Sequence, residues 1–271
     1  MSNAIHTRRW QASETYSGAR RPCGVYLLHG TGEHCGRYEE FIFHLTNAGW
    51  AVGAHDHPGH GLSQGERGSL LPMGTLPTQA AIQIQQFALE TGAPPIVFGH
   101  SLGGVLAAEL VLTHHLPVTG LILSAPALRP WMTATQKIKL KFLYSLMPDK
   151  VLELPGQKEN LTRDPQKLEM SLNDELLHGF KSARLVQWLL DSGARSIDLA
   201  PNLSVPALAL IAGGDLVANP SAIREWVRGA PDAFVSSHEY EGAFHEMFNE
   251  IPSVREKVTS HTLAWLEQFN S

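Results

Sequence analysis

Cysteine is scarce in this chain, and long apolar runs are missing. The 271 residues include only 2 cysteines, Cys23 and Cys35. Two thiols do not form a disulfide framework, and no C-x-x-C pair exists to suggest a zinc ribbon or a thioredoxin-type site. Their spacing leaves open whether they form a single bridge. No stretch of about 18 apolar residues occurs, so no membrane-spanning helix is expected.

An excess of positive charge is also missing. The chain has 21 Lys and Arg against 26 Asp and Glu, a net charge of -5, whereas nucleic-acid-binding proteins carry a basic patch or stripe. No nucleic-acid partner is therefore expected. The polar segment 1–10 lacks the apolar core of a secretory signal, and without a targeting signal we expect a cytoplasmic location.

Short apolar runs alternate with helical patterns along most of the chain, and 43% of the residues are hydrophobic. This alternation predicts an α/β fold with a mostly parallel sheet covered by helices on both faces. The predicted strands lie at 25–28, 50–54, 95–98, 121–123, 207–211 and 237–240. The predicted helices lie at 37–48, 77–91, 105–115, 220–228 and 252–269.

The alternation stops between the fourth and fifth predicted strands. A crossover between parallel strands needs only about a dozen residues, whereas this segment is several times longer and contains three helical patterns. We expect residues 127–201 to form a helical cap or lid inserted into an α/β core of residues 1–126 and 202–271.

The G-x-S-x-G motif occurs twice, around Ser63 and around Ser101. It marks a serine nucleophile where a strand, a sharp turn and a helix follow one another. Ser101 meets this requirement, because the apolar run 95–98 precedes it and the helical pattern 105–115 follows it. Ser63 lies in a loop rich in glycine, where a structural role is expected. Ser101 is the predicted nucleophile.

A serine hydroxyl needs a histidine base, and the histidine needs a carboxylate to orient it. Asp215 follows a buried strand pattern in a Gly-Gly loop, whereas Asp232 follows a helix. Of 14 histidines, only His238, His245 and His261 lie late in the chain. The first falls in a predicted strand and the last in a predicted helix. Asp215 and His245, which lies in a loop after the last strand, are the predicted acid and base.

An oxyanion formed during acyl transfer needs backbone N–H donors that are already in place. The residue after the nucleophile, Leu102, should supply one donor. Thr31, between two glycines in the loop after the first predicted core strand, should supply the other. An ordinary glycine turn in that loop remains the alternative.

A metal site is suggested by the H-x-H-x-x-H pattern of His55, His57 and His60, because histidine is a common ligand. Hydrolases with a similar zinc motif have an Asp where this chain has Gly59, and no second ligand set completes the site. No metal is predicted. The glycines at 99–104 lack the Gly-Lys-Ser/Thr ending of a phosphate loop, and no cofactor is expected.

An apolar stripe of Ile138, Phe142 and Leu146 lies among lysines in the predicted cap. Packing within the cap is the simplest interpretation. The same stripe could line a substrate tunnel, or it could make peripheral contact with a membrane surface.

Taken together, these motifs resemble the monoglyceride lipase and lysophospholipase branch of the α/β-hydrolases, a domain of the serine aminopeptidase S33 type. The matching segments, in the family's order, are 29–34 with 37–38, 56–63, 99–104, 213–215 and 241–246. The resemblance implies a Ser101–Asp215–His245 triad with Thr31 and Leu102 as oxyanion donors. It also implies a helical cap, no cofactor, and lipid-like ester substrates of monoacylglycerol or lysophospholipid type.

Other functions use the same fold. A small-ester carboxylesterase, an acyltransferase or a peptidase would keep the triad, and competition of an added alcohol or amine with water would identify a transferase. A non-catalytic binding protein would be expected to have lost a triad member, and none is missing here. The favoured hypothesis is a serine hydrolase that cleaves carboxylic esters through an acyl-enzyme.

Overall fold

A seven-stranded sheet forms the centre of the molecule. The computed structural model describes residues 4–19, 21–70, 74–154 and 158–270. The strands in these residues are β1 (Thr7–Trp10), β2 (Val25–Leu28), β3 (Val52–His55), β4 (Ile96–His100), β5 (Gly120–Ser124), β6 (Val151–Glu153), β7 (Phe180–Ser182), β8 (Ala207–Ala212) and β9 (Val235–Tyr240). The helices are α1 (Glu39–Asn47), α2 (Thr75–Thr91), α3 (Leu102–Leu112), α4 (Ala134–Leu146), α5 (Pro165–Asn173), α6 (Ala183–Asp198), α7 (Pro220–Gly229) and α8 (Pro252–Leu266).

The strand order is β1-β3-β2-β4-β5-β8-β9, and every pair except β1 with β3 is parallel. Every residue of β2, β4, β5 and β8 is buried, as expected for strands covered on both faces. One hydrophobic core includes residues of α2, α3 and α7, and the other includes residues of α1 and α8. The predicted fold class is confirmed.

Strand β1 was not expected from the sequence. Its four residues pair antiparallel with β3, and the strand is only partly buried. Arg8 and Arg9 pair with Glu39 and Glu90 at 2.8 and 2.6 Å. Because neither apolar alternation nor a buried run marks this segment, its pairing could not be predicted from the pattern.

The long segment between β5 and β8 contains α4, α5, α6 and a separate two-stranded sheet of β6 and β7. Helix α6 packs against α3 of the core. A side chain at Gly193 would meet the Leu128 carbonyl oxygen at 2.2 Å, so this helix lies close against the chain that leads into the insertion. The division of the chain at 127–201 stays a prediction.

Both cysteines are buried free thiols. This settles the question that their spacing left open. In the described part of the chain, no helix is both long and apolar enough to cross a membrane.

Candidate active site

Ser101 lies in the sharp turn between β4 and α3. Its backbone has φ 53° and ψ -116°, a left-handed conformation that is costly for a residue with a side chain. The turn can be this tight because glycines lie two positions before and two positions after Ser101. A Cβ at Gly99 would meet the Gly103 carbonyl oxygen at 2.3 Å, and one at Gly103 would meet the Leu28 carbonyl oxygen at 2.2 Å.

Hydrogen bonds to neighbouring segments hold the Ser101 backbone in place. Its N–H donates to the Ser124 carbonyl at 3.1 Å, and its carbonyl accepts from Ala127 N–H at 3.1 Å. The carbonyl also accepts from the first turn of α3, from Gly104 and Val105. The surrounding structure therefore holds the strained conformation, which is a feature typical of functional sites.

Asp215 lies in the loop that follows β8. One carboxylate oxygen, Oδ1, accepts from Val217 N–H at 2.7 Å and from Ala218 N–H at 2.9 Å. The Trp131 indole N–H donates to the Asp215 carbonyl oxygen at 3.1 Å, a contact from the inserted segment that the sequence did not indicate. These bonds fix the carboxylate and leave its second oxygen, Oδ2, for another partner.

That partner is His245, in the loop that follows β9. Its Nδ1 donates to Asp215 Oδ2 at 2.6 Å, and both side chains are buried. With the proton on Nδ1, Nε2 carries the lone pair that a general base needs. The His245 ring lies against the ring of His100, the residue before the nucleophile, with 4.7 Å between centroids.

The hydroxyl of Ser101 and Nε2 of His245 have no hydrogen-bond partner among the residues that the structure describes. Catalytic hydrogen bonds are often long without substrate and tighten when it binds. Neither group is therefore held by a described residue in place of a substrate.

The electrostatics of the pair favour a basic imidazole. Burial lowers the pKa of His245, but the charge and hydrogen bond of Asp215, together with the charges of Glu246 and Glu33, outweigh burial, and the net pKa lies above its ordinary value. The carboxylate thus stabilises the imidazolium that forms when His245 takes a proton.

The competing candidates have structural partners instead. The Ser63 hydroxyl donates to the Asp56 carbonyl at 2.6 Å and accepts from His6 N–H at 2.9 Å. His238 lies in β9 and stacks on His261 of α8 with 4.2 Å between ring centroids. His261 Nδ1 lies 3.0 Å from the Tyr240 hydroxyl.

The loop after β2 reaches the nucleophile. A Cβ at Gly30 would lie 2.8 Å from Glu33 Oε1 and 3.1 Å from Ser101 Cβ, so a side chain there would crowd the nucleophile turn. Leu102 is the first residue of α3, where a backbone N–H has no partner within the helix. Thr31 follows Gly30 in this loop, and its hydroxyl is buried without a hydrogen-bond partner. Thr31 and Leu102 remain the predicted oxyanion donors.

A cluster of charged side chains lies next to this loop, and the sequence assigns it no role. The Glu33 carboxylate accepts from Gly30 N–H, and from the Tyr38 hydroxyl at 2.7 Å. Arg37 lies 3.2 Å from Glu33, and its guanidinium also donates to Glu246, the neighbour of His245. Glu33, Arg37 and Tyr38 all belong to the motif that carries the family resemblance, which was the one signal for them.

Arg37 also reaches the inserted segment. Its Nη1 donates to the Ser171 hydroxyl of α5 at 2.9 Å. Burial lowers the pKa of Arg37, but the charges of Glu246 and Glu33 raise it by more than burial lowers it. The guanidinium therefore stays charged. One buried cation therefore links the loop after β2, the loop of His245 and the insertion.

A small cavity lies beside Leu102, between the core and the insertion. Its volume is about 20 Å³, roughly the space of one water molecule. The lining is mostly apolar and includes Leu70, Leu76 and, from α6, Leu185.

Known proteins resemble this chain both in sequence and in structure. The family described as serine aminopeptidase, S33, matches residues 22–252. A phospholipase of Bacillus subtilis, YtpA, is 28% identical over 94% of this chain and 99% of its own. An uncharacterized abhydrolase domain-containing protein of Dictyostelium discoideum is 30% identical over 90% of this chain, which spans only 26% of that longer protein.

Among solved structures, a monoacylglycerol lipase of Paleococcus ferrophilus superimposes with a TM-score of 0.85 and 28% identity. The match covers 98% of this chain and 99% of that enzyme. The similarity therefore includes the inserted segment as well as the core.

Proposed function

The chain belongs to the serine aminopeptidase S33 family of α/β-hydrolases and is a carboxylic ester hydrolase, and we propose that Ser101, Asp215 and His245 are its catalytic triad. The observation that carries the proposal is the 2.6 Å bond between His245 Nδ1 and Asp215 Oδ2. It orients a basic imidazole beside the strained turn of Ser101, at the carboxyl ends of three strands.

The first half of the reaction forms an acyl-enzyme. Ser101 Oγ attacks the ester carbonyl carbon while its proton passes to His245 Nε2. The N–H groups of Leu102 and Thr31 hold the oxyanion of the tetrahedral intermediate. When the intermediate collapses, the bond to the alcohol oxygen breaks and that oxygen takes the proton from His245.

The second half releases the acid. A water molecule gives a proton to His245 Nε2 and attacks the acyl carbon, and the same N–H groups hold the second oxyanion. Collapse returns the proton to Ser101 and frees the carboxylic acid.

The substrate we propose is a monoacylglycerol or a similar single-chain lipid ester. The monoacylglycerol lipase of similar structure supports this class, and the phospholipase relative makes a lysophospholipid the second candidate. Residues 127–201 would form the cap that selects the acyl chain, because Leu185 of this segment lines the apolar cavity beside Leu102.

We also propose that α4 makes peripheral contact with lipid. Ile138, Phe142 and Leu146 are 69%, 62% and 62% exposed, so they do not pack in the interior of the cap. Exposed apolar side chains beside lysines are typical of helices that lie on a membrane surface.

The test is hydrolysis of p-nitrophenyl esters from acetate to palmitate by wild type and Ser101→Ala. Monoacylglycerol and lysophosphatidylcholine of equal chain length are compared in parallel. The proposal requires that activity disappear in the variant, peak at medium or long chains, and be higher on monoacylglycerol. A peak at acetate would indicate a small-ester carboxylesterase, and full activity in the variant would refute the nucleophile.

A further inference from the structure

A chain of buried side chains runs from the middle of the sheet to the oxyanion loop. It consists of Tyr26 in β2, His55 at the end of β3, His57 and His29, and all four are fully buried, at 0% exposure. The Tyr26 hydroxyl lies 3.0 Å from His55 Nδ1, and His55 Nε2 lies 3.2 Å from His57 Nδ1. His57 Nε2 lies 3.0 Å from the His29 carbonyl oxygen.

The position of each proton in this chain follows from its ends. A carbonyl oxygen only accepts, so His57 Nε2 carries a proton and its Nδ1 is the acceptor. His55 Nε2 must then be the donor to that Nδ1, which leaves His55 Nδ1 to accept from the Tyr26 hydroxyl. Burial lowers the pKa of His57 to about 3 and that of His55 well below its ordinary value. Both rings are therefore neutral and have one tautomer each.

The last histidine acts on the loop itself. The backbone N–H of His57 donates to His29 Nε2 at 2.9 Å, so the proton of the neutral His29 ring is on Nδ1. That Nδ1 donates to the Gly30 carbonyl oxygen at 2.8 Å. His29 therefore has the tautomer that donates to the loop.

The Gly30 carbonyl and the Thr31 N–H belong to one peptide unit. In a trans peptide the two groups point in opposite directions. A bond that turns the carbonyl toward His29 therefore turns the N–H of Thr31 away from it. The proposed oxyanion donor is thus aimed by a hydrogen bond on the other side of its own peptide plane.

We propose that Tyr26, His55 and His57 are positioning residues that orient the Thr31 N–H for ester hydrolysis. They touch neither substrate nor reacting atoms, and they act by holding the His29 carbonyl and ring, which hold the Gly30–Thr31 peptide. The proposal rests on the proposed role of Thr31 as oxyanion donor, and one of its tests is independent of that role.

The kinetic test compares His57→Gln with His57→Asn. A glutamine amide can place its N–H near the position of Nε2 and donate to the His29 carbonyl, whereas asparagine places its polar atoms near Nδ1 and cannot reach. A Thr31 N–H that points in the wrong direction lowers kcat rather than raising KM, because this donor stabilises the transition state and not the bound substrate. We expect kcat of His57→Asn to fall about 10- to 100-fold with KM changed less than about threefold, and kcat of His57→Gln to be at least about tenfold higher than that.

Equal losses in the two variants would overturn the proposal, because packing alone would then explain them. Wild-type kcat in His57→Asn would overturn it as well. If wild type itself has no serine-dependent esterase activity, the proposed function fails, and that outcome is distinct from either of these.

The second test needs no variant that might misfold. Long-range proton–nitrogen NMR of the wild-type histidine rings at neutral pH reports which nitrogen carries the proton. His29 should be in the Nδ1–H form, and His55 and His57 in the Nε2–H form. An Nε2–H form of His29, or a charged ring at any of the three positions, would overturn the proposal whatever the activity shows.

Discussion

At the residue scale, Ser101 combines a reactive side chain with a backbone conformation that favours glycine. A positive φ in such a residue costs about 1–3 kcal/mol, which the bonds to Ser124 and Ala127 offset. The result is a hydroxyl presented at the edge of the sheet. This is the physical reason that the motif predicts a nucleophile only between a strand and a helix, and that Ser63 in its loop does not qualify.

The pH dependence of the reaction should report the His245–Asp215 pair. The proposed base must be neutral to take a proton, and Asp215, with smaller contributions from Glu246 and Glu33, raises the pKa of His245 above its ordinary value. We expect kcat/KM to rise with pH and to reach half its maximum above about pH 6.5. In Asp215→Asn the midpoint should fall, and kcat should drop about 10³- to 10⁴-fold. An unchanged midpoint in the variant would argue against the pairing.

The site residues that the sequence predicts are those that a local position can single out. Ser101, Asp215 and His245 were each selected because they follow a predicted strand. Arg37 could not be assigned in this way, because its partner Glu246 lies 209 positions away. Contacts across such separations depend on the folded arrangement and leave no local pattern.

At the scale of elements, the approach of α3 to the sheet depends on glycine. In Gly103→Ala the new Cβ would meet the Leu28 carbonyl oxygen at 2.2 Å, so the helix or the loop after β2 must shift. We expect at least a tenfold loss of kcat and a loss of stability of about 1–3 kcal/mol, measured by ester hydrolysis and urea unfolding.

Gly229→Ala is the matched control for that change. A Cβ there meets nothing closer than 3.4 Å, and alanine favours a helix over glycine by about 0.5–1 kcal/mol. Activity should therefore be retained. Equal effects of the two substitutions would contradict the packing argument.

The apolar cavity beside Leu102 leads to a prediction about chain length. Leu185→Ala removes part of the apolar lining and enlarges the cavity, so longer acyl chains should gain in kcat/KM relative to shorter ones by about tenfold. The measurement is the p-nitrophenyl ester series. Leu172→Ala, on the exposed face of α5 at 57% exposure, is the control and should leave the chain-length profile unchanged.

The sequence does not predict the shortest strands. Strands β6 and β7 have only three residues each, and β1 has four with two arginines. In segments this short, pairing is decided by the neighbouring strand rather than by a hydrophobic period. The fully buried strands were recognised because each is an apolar run bounded by turn residues.

At the scale of the whole molecule, buried neutral histidines make the fold sensitive to acid. Burial lowers the pKa of His57 to about 3 and of His60 to about 4, and those of His29 and His55 fall well below the ordinary value of 6.5. Below about pH 6.5 the unfolded chain binds protons that the folded chain does not. Stability is therefore full above this pH and is lost as the pH falls toward these folded-state values.

Below about pH 6.5, each of these histidines lowers the free energy of unfolding by about 1.4 kcal/mol for every unit that the pH falls. The whole free energy of unfolding of a native protein is typically about 5–15 kcal/mol. We expect cooperative unfolding between about pH 6 and pH 4, followed by circular dichroism. His60→Gln should reduce the slope of unfolding free energy against pH by about 1.4 kcal/mol per unit. An identical slope in the variant would show that His60 does not contribute.

The sequence predicted the sheet, its helical layers and the family, because periodicity and motif order are local properties that add up along the chain. It did not predict how the insertion meets the core. The contacts of Trp131 with Asp215 and of Arg37 with Ser171 join segments whose patterns are independent of each other.

The central claim is that Ser101 is the nucleophile, and covalent labelling tests it most directly. Wild type, Ser101→Ala and Ser63→Ala are treated with a fluorophosphonate and analysed by intact mass and peptide mapping. We predict one adduct, on Ser101, in wild type and Ser63→Ala, and none in Ser101→Ala. An adduct on another residue, or no adduct in a folded wild-type protein, would contradict the account.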